Sequence, residues 1–131
     1  MALKADMKII VIDDMSTMRK IIKNMLGQMG FKNISEADDG ATALPLLKQA
    51  YESGEPFEFI ISDWNMPNLN GLDMLKQIKE DDNLKDTPFL MVTAEAEQSN
   101  VVIAVKAGVS NFIVKPFSAQ VLKEKIGKIF K

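Results

Sequence analysis

The sequence predicts an α/β fold, a doubly wound parallel sheet of five strands carrying five helices. Three observations carry this reading. Short apolar runs recur five times along the chain, each followed by a longer stretch with helical spacing of its apolar residues. Within the runs apolar residues are contiguous rather than alternating, as in strands covered on both faces. Polar residues then cluster just past the carboxyl ends of the runs, where open α/β sheets carry their chemistry. Strict alternation of strand and helix implies right-handed crossovers with helices on both faces of the sheet.

The first strand is read over Met7-Lys8-Ile9-Ile10-Val11-Ile12 and runs into Asp13-Asp14. Met18, Ile21, Ile22, Met25, Leu26 and Met29 then form one face of a helix that Gly30 stops. The methionines serve there as core filler. Ile34 to Ala37 is a weaker second strand. Asp38-Asp39-Gly40 turns the chain into a second helix, from about Ala41 to Ala50, and Pro45 inside it predicts a kink or a late start. After the Ser53-Gly54-Glu55-Pro56 loop, the third strand is read in the run Phe59-Ile60-Ile61-Ser62-Asp63-Trp64-Asn65-Met66-Pro67, with Phe59, Ile60, Ile61 and Trp64 bulky and apolar and Asp63 near its end; Pro67 and Asn70-Gly71 make a loop there.

A third helix is marked by Leu72, Leu75, Ile78 and Lys79 and ends at Asp81-Asp82-Asn83. Phe89 to Val92 is the fourth strand, ending at Thr93. A fourth helix covers roughly Glu97 to Ala107 and stops at Gly108. Asn111 to Val114 is the fifth strand, followed by Lys115-Pro116, and the last helix carries Val121, Leu122, Ile126, Ile129 and Phe130. The expectation is one domain over residues 1–131, with residues 1–6 a short flexible tail and no appended output domain.

Composition narrows the chemistry. With 131 residues, a formal charge of -2 and a pI near 5.2, the chain has a sizeable core but no basic footprint for nucleic acid. No apolar run approaches the roughly 18 residues of a membrane span, and no signal-peptide core opens the chain, so a cytoplasmic location is expected. There is no Cys and no His. Thiol nucleophiles, thiolate zinc sites and imidazole bases are therefore excluded, and a metal would be a hard cation held by oxygen, Mg²⁺ or Ca²⁺.

Asp13 and Asp14, Asp63, Thr93 and Lys115 stand where four of the strands end. Alone, Asp63 could merely cap the next helix, and Lys115 could be a solvated loop lysine. Together they deliver carboxylates, a hydroxyl and an amine to one edge. Converging carboxylates repel unless a cation lies between them, and Mg²⁺ suits a site of carboxylates and phosphate oxygens. The suggested roles are Asp14, Asp63 and the Asn65 backbone carbonyl as metal ligands, with Asp13 acting through a water. Asp63 would also be a phosphoryl acceptor. Thr93 and Lys115 would stabilise phosphoryl charge, and Ala94 would leave room for the group.

These residues give the chain a resemblance. Asp13-Asp14, Asp63-Trp64-Asn65-Met66-Pro67, Gly71, Thr93-Ala94-Glu95 and Lys115-Pro116, in this order, resemble the receiver domain of two-component response regulators over essentially the whole chain. Its CheY-like, single-domain chemotaxis members are the nearest in pattern. The resemblance implies a flavodoxin-like sheet of order 2-1-3-4-5. It implies Mg²⁺-dependent phosphoryl transfer to Asp63 from a histidine kinase, CheA-like in this case, and slow self-catalysed dephosphorylation. It further implies that Thr93 and Phe112 form the switch and that Asn65 and Glu95 tune access of the attacking water. The downstream target would be a protein on the face of the fourth helix, fifth strand and fifth helix, read here as Val101, Val105, Val109, Phe112 and Lys125. A monomer is expected.

Two departures bear on that target. Phe112 stands where motor-binding members usually carry Tyr, and Glu97-Gln98 follows where they tend to carry Lys. The run Val101-Val102-Ile103-Ala104-Val105 is apolar around a full turn, which predicts an exposed apolar stripe. These features speak against the flagellar motor switch and for a more hydrophobic partner; the alternative to protein–protein output is a phosphate sink that drains a shared kinase. A flavodoxin-type cofactor carrier is disfavoured because Asp13-Asp14 would repel a phosphate. An aspartyl phosphatase of the haloacid dehalogenase kind is disfavoured because Asn65 cannot serve as its general acid. A constitutive binding module is a remote alternative.

Overall fold

A computed structural model describes residues 5–94 and 98–130, without the side chains of 98–101. The elements alternate as read from the sequence: β1 (Ile9–Ile12), α1 (Ser16–Gln28), β2 (Ile34–Ala37), α2 (Gly40–Glu52), β3 (Phe59–Asp63), α3 (Gly71–Glu80), β4 (Phe89–Thr93), α4 (Gln98–Lys106), β5 (Asn111–Val114) and α5 (Ala119–Ile129). All pairings are parallel, and the sheet order is β2-β1-β3-β4-β5.

The pleat sorts each strand between two cores. Ile9, Val11, Phe59, Ile61, Leu90, Val92 and Ile113 face Ile22 and Leu26 of α1 and Leu122 and Ile126 of α5. Ile10, Ile12, Ile60, Phe89 and Met91 face Leu44 and Leu47 of α2 and Met74, Leu75 and Ile78 of α3. Contiguous apolar strands are thus covered on both sides, and each fully buried Ile or Leu contributes about 1.5–3 kcal/mol of transfer free energy.

The first and third strands are shorter than expected: pairing begins at Ile9 rather than Met7, and β3 ends at Asp63 rather than running on through Trp64, where the chain turns away from the sheet. Residues 1–4 of the expected tail lie outside the described residues, while Ala5 and Asp6 are tied to the body through bonds from Lys32 N–H and the Asn33 amide. Gly30, at φ +98°, ends α1 as the sequence suggested. Of the kink or late start expected from Pro45 in α2, the late start does not occur. That helix begins at Gly40, ahead of Pro45, because the Asp39 carboxylate caps it at Ala41 N–H, and buried Ala43, Leu44, Leu47 and Ala50 hold it against the core. Among the described residues, no helix is long and apolar enough to cross a membrane.

The order of the sheet reverses between β1 and β3, so the chain leaves these neighbouring strands toward opposite edges. Crevices open at such points. Register aligns Ile12 with Ser62, Asp63 with Val92 and Thr93 with Val114. The residues just past β1, at the end of β3 and just past β5 therefore share one edge.

Candidate functional site

Asp13, Asp14 and Asp63 each offer a carboxylate oxygen within 4.8 Å of the others. Asp13 is fully buried, Asp63 is 6% exposed and Asp14 faces solvent. The Lys115 ammonium lies 3.1 Å from Asp13 Oδ2 and 3.3 Å from Asp63 Oδ1. It arrives there because β5 carries it past β4, where Lys115 N–H donates to the Thr93 carbonyl at 2.7 Å.

The carboxylates are aimed by the backbone. Asp13 Oδ1 accepts from Met15 N–H at 2.9 Å, and the Asp13 carbonyl accepts from the Arg19 guanidinium at 2.7 Å. Asp63 Oδ1 accepts from Trp64 N–H at 2.9 Å. Lys115 and Trp64 thus both address Oδ1, and Oδ2 is the oxygen that neither engages. Burial above all, and then repulsion from Asp13, push the Asp63 pKa up; the Lys115 charge and hydrogen bond and the Trp64 N–H oppose the rise. The site therefore holds carboxylate charge that one ammonium does not fully offset, and a hard divalent cation fits that donor set.

Capping does not account for Asp63. Asn70 caps α3, its side-chain oxygen accepting from Asp73 N–H at 2.8 Å. Gly71 has a role of its own here. It donates to the Trp64 carbonyl at 2.8 Å, and a Cβ at this position would run into the Asp63 carbonyl. Only Gly lets α3 start against the end of β3. Asn65 lines an open depression together with Asp14, Met66, Pro67 and Asn70. Thr93 is buried at the end of β4, next to Lys115 in the sheet edge, and Ala94 after it is exposed.

The architecture and this cluster can be set beside known proteins. The model of the response regulator receiver domain matches residues 9–127. This chain belongs to the response regulator receiver family. The chain is 56% identical over 124 residues to the chemotaxis protein CheY of Pseudomonas aeruginosa, covering 95% of this chain and 96% of that protein. It is 52% identical over 128 residues to CheY-3 of Vibrio cholerae, covering 98% and 95%. Among solved structures, CheY4 of Vibrio cholerae superposes with a TM-score of 0.84 at 29% identity, over 95% of this chain and 99% of that one. CheY of Borrelia burgdorferi, solved with CheX, beryllofluoride and Mg²⁺, gives 0.86 at 25% identity, over 95% and 89%. The receiver is thus a CheY-like, chemotaxis-type response regulator.

The expected switch and partner residues divide. Phe112 is half-buried on the α2–α3 side of the sheet, with the Lys125 ammonium 5.1 Å from its ring centroid. Val105 is 61% exposed, and Val102 and Ile103 beside it are exposed too, so the apolar stripe on α4 is present. Val109 instead packs partly on the core. Glu95 and the side chain of Val101 lie outside the described residues. Two side chains that hold the site were not picked out from the sequence. Arg19 ties the Asp13 carbonyl to Glu36, and Asp39 bonds the backbone at Asn68 and Leu69. Asp39-Gly40 carries a local capping signature, but nothing in the sequence names its distant partners.

Proposed function

We propose that this receiver is a Mg²⁺-dependent phosphoacceptor, taking a phosphoryl group on Asp63 from the phosphohistidine of a CheA-like kinase. The observation that carries the reading is the Lys115 ammonium held between Asp13 and Asp63 with Asp14 alongside. A buried carboxylate with a raised pKa, a cation on one oxygen and a second oxygen that neither Lys115 nor Trp64 engages suits attack on phosphorus.

Asp63 Oδ2 would form the new bond to phosphorus as the phosphorus–nitrogen bond of the donor breaks. The leaving imidazole keeps the electron pair and takes up a proton. Lys115 and the Thr93 hydroxyl would bind the phosphoryl oxygens, on which charge develops. Asp14, Asp63 and the Asn65 carbonyl would hold Mg²⁺, with Asp13 acting through a water. When bound, the ion neutralises carboxylate and phosphoryl charge. Water would later attack phosphorus, breaking its bond to Asp63 Oδ2 and releasing inorganic phosphate with the carboxylate restored, and Asn65 and Glu95 would govern its access.

Output would pass through Thr93 and Phe112 to the α4–β5–α5 face, in the cytoplasm. The exposed Val102, Ile103 and Val105 favour a protein target read by apolar contact, and Phe112 offers no hydroxyl to it.

Trp64, half-buried beside Asp63, supplies the test. Its fluorescence is titrated with Mg²⁺ and then with beryllofluoride, beside an Asp63→Asn control. The proposal expects a response to Mg²⁺ and a second, beryllofluoride-dependent response absent from the control. Identical beryllofluoride responses in both proteins would contradict it.

A further inference from the structure

Asp39 is a buried charge that phosphoryl transfer, as described, does not use. It lies at the corner between β2 and α2 and is 3% exposed. Its carboxylate serves two loops. Oδ1 accepts from Ala41 N–H at 3.0 Å, which caps α2, and from Leu69 N–H at 2.8 Å; Oδ2 accepts from Asn68 N–H at 3.0 Å. Gly40 completes the joint. Its N–H donates to the Leu69 carbonyl at 3.2 Å, and a Cβ on Gly40 would stand 2.5 Å from that carbonyl.

A cap needs one oxygen. The other two bonds reach 29 and 30 residues along the chain, into the loop that carries Asn65. That loop is closed at its base by Gly71 N–H on the Trp64 carbonyl. With its base closed there and its far side held at Asn68 and Leu69, the short Asn65-Met66-Pro67 span between has little freedom. Pro67 reduces it further by restricting its own φ.

We propose that Asp39 is a positioning residue for the metal site: by holding Asn68 and Leu69, it presents the Asn65 carbonyl beside Asp14 and Asp63. The inference rests on the reading that this cluster takes Mg²⁺. Burial pushes the Asp39 pKa up, but the N–H groups of Ala41, Asn68, Leu69 and Gly40 together hold it below the ordinary value. Asp39 is therefore ionised at neutral pH, and its charge-assisted bonds are fully made. Asn at this position would lose the charge and turn a donor toward one of the N–H groups.

Groups that orient metal ligands from behind change affinity by about ten- to a hundredfold when removed. The test is Mg²⁺ affinity by calorimetry for the wild type, Asp39→Asn and Gly40→Ala, with amide exchange followed at residues 65–71. Gly40→Ala keeps the carboxylate and displaces the Leu69 carbonyl, so it serves if Asp39→Asn does not fold. Phe130→Ala, which opens the packing on Phe59 at the other end of the sheet, controls for lost stability alone. The expected result is Mg²⁺ binding at least about tenfold weaker in the first two variants, with faster exchange concentrated at Asn68 and Leu69, and unchanged affinity in the control. Wild-type affinity in Asp39→Asn, or equal weakening in Phe130→Ala, would overturn the inference while leaving the metal reading intact. A wild type that binds no Mg²⁺ would overturn both.

Discussion

Asp63→Asn should make the metal-free protein more stable. At an effective dielectric near 20, Asp13 at up to 4.8 Å opposes the Asp63 charge by roughly 3.5 kcal/mol, and Lys115 at 3.3 Å favours it by roughly 5 kcal/mol. Asp14, screened by solvent, adds about 1 kcal/mol of repulsion. These terms nearly cancel. What remains is the loss of hydration of a carboxylate whose side chain is 7% exposed, several kcal/mol for an ion, offset in part by Trp64 N–H. Asn retains an acceptor for Trp64 and can donate toward Asp13. The expected gain is about 1–3 kcal/mol, or roughly 3–12 °C in Tm for a domain of this size.

The pH dependence follows from the direction of the shift. Because the folded pKa of Asp63 is raised, the wild type loses stability as pH climbs from the ordinary 3.8 through the folded value. The advantage of Asp63→Asn should thus be absent below that window and complete above it. Saturating Mg²⁺ should reverse the ranking, since the cation stabilises the protein that holds it more tightly. Thermal unfolding followed by circular dichroism, with chelator and then with Mg²⁺, gives both comparisons. A metal-free variant less stable than the wild type at neutral pH would refute the reasoning.

Three other outcomes are expected. Lys115→Ala should slow phosphorylation by an acyl phosphate by about a hundredfold or more, as removing an oxyanion donor does, while Mg²⁺ affinity measured by calorimetry is kept or raised. Gly71→Ala forces a methyl group against the Asp63 carbonyl and to 3.0 Å from Met91 Sδ, and urea unfolding should register about 1–3 kcal/mol of destabilisation. Phe112→Tyr adds a hydroxyl to the proposed output face, so binding of the beryllofluoride-activated protein to a flagellar switch peptide, followed by titration, should strengthen by up to about tenfold.

The strands and the acid cluster were legible because both follow from local pattern. Phe59 to Asp63 is contiguous and apolar up to its last residues, so the sequence marks both a strand covered on two faces and the point where a carboxylate emerges. The same logic placed Asp13, Thr93 and Lys115 at one edge. Asp39 was not legible in this way. Its bond to Ala41 is local and announced by the Gly that follows, whereas its bonds to Asn68 and Leu69 exist only because the sheet places β2 and β3 on either side of β1. Strand order itself came from family resemblance, since alternation alone permits other orders. For a related reason Pro45 did not delay the start of α2: its local cost is offset by burial of Leu44 and Leu47, which depends on α3 and the sheet. The stripe on α4 was visible as too many apolar residues for one face, though not which of them the core would take.

The central claim is that Asp63 accepts a phosphoryl group in a Mg²⁺-dependent reaction. Intact-mass measurement after incubation with acetyl phosphate tests it most directly, with and without Mg²⁺, and with Asp63→Asn in parallel. The account predicts one phosphoryl adduct, present only with Mg²⁺ and only when Asp63 is intact, that decays once the donor is removed. An adduct of equal yield in Asp63→Asn, or none in the wild type with Mg²⁺ saturating, would contradict it.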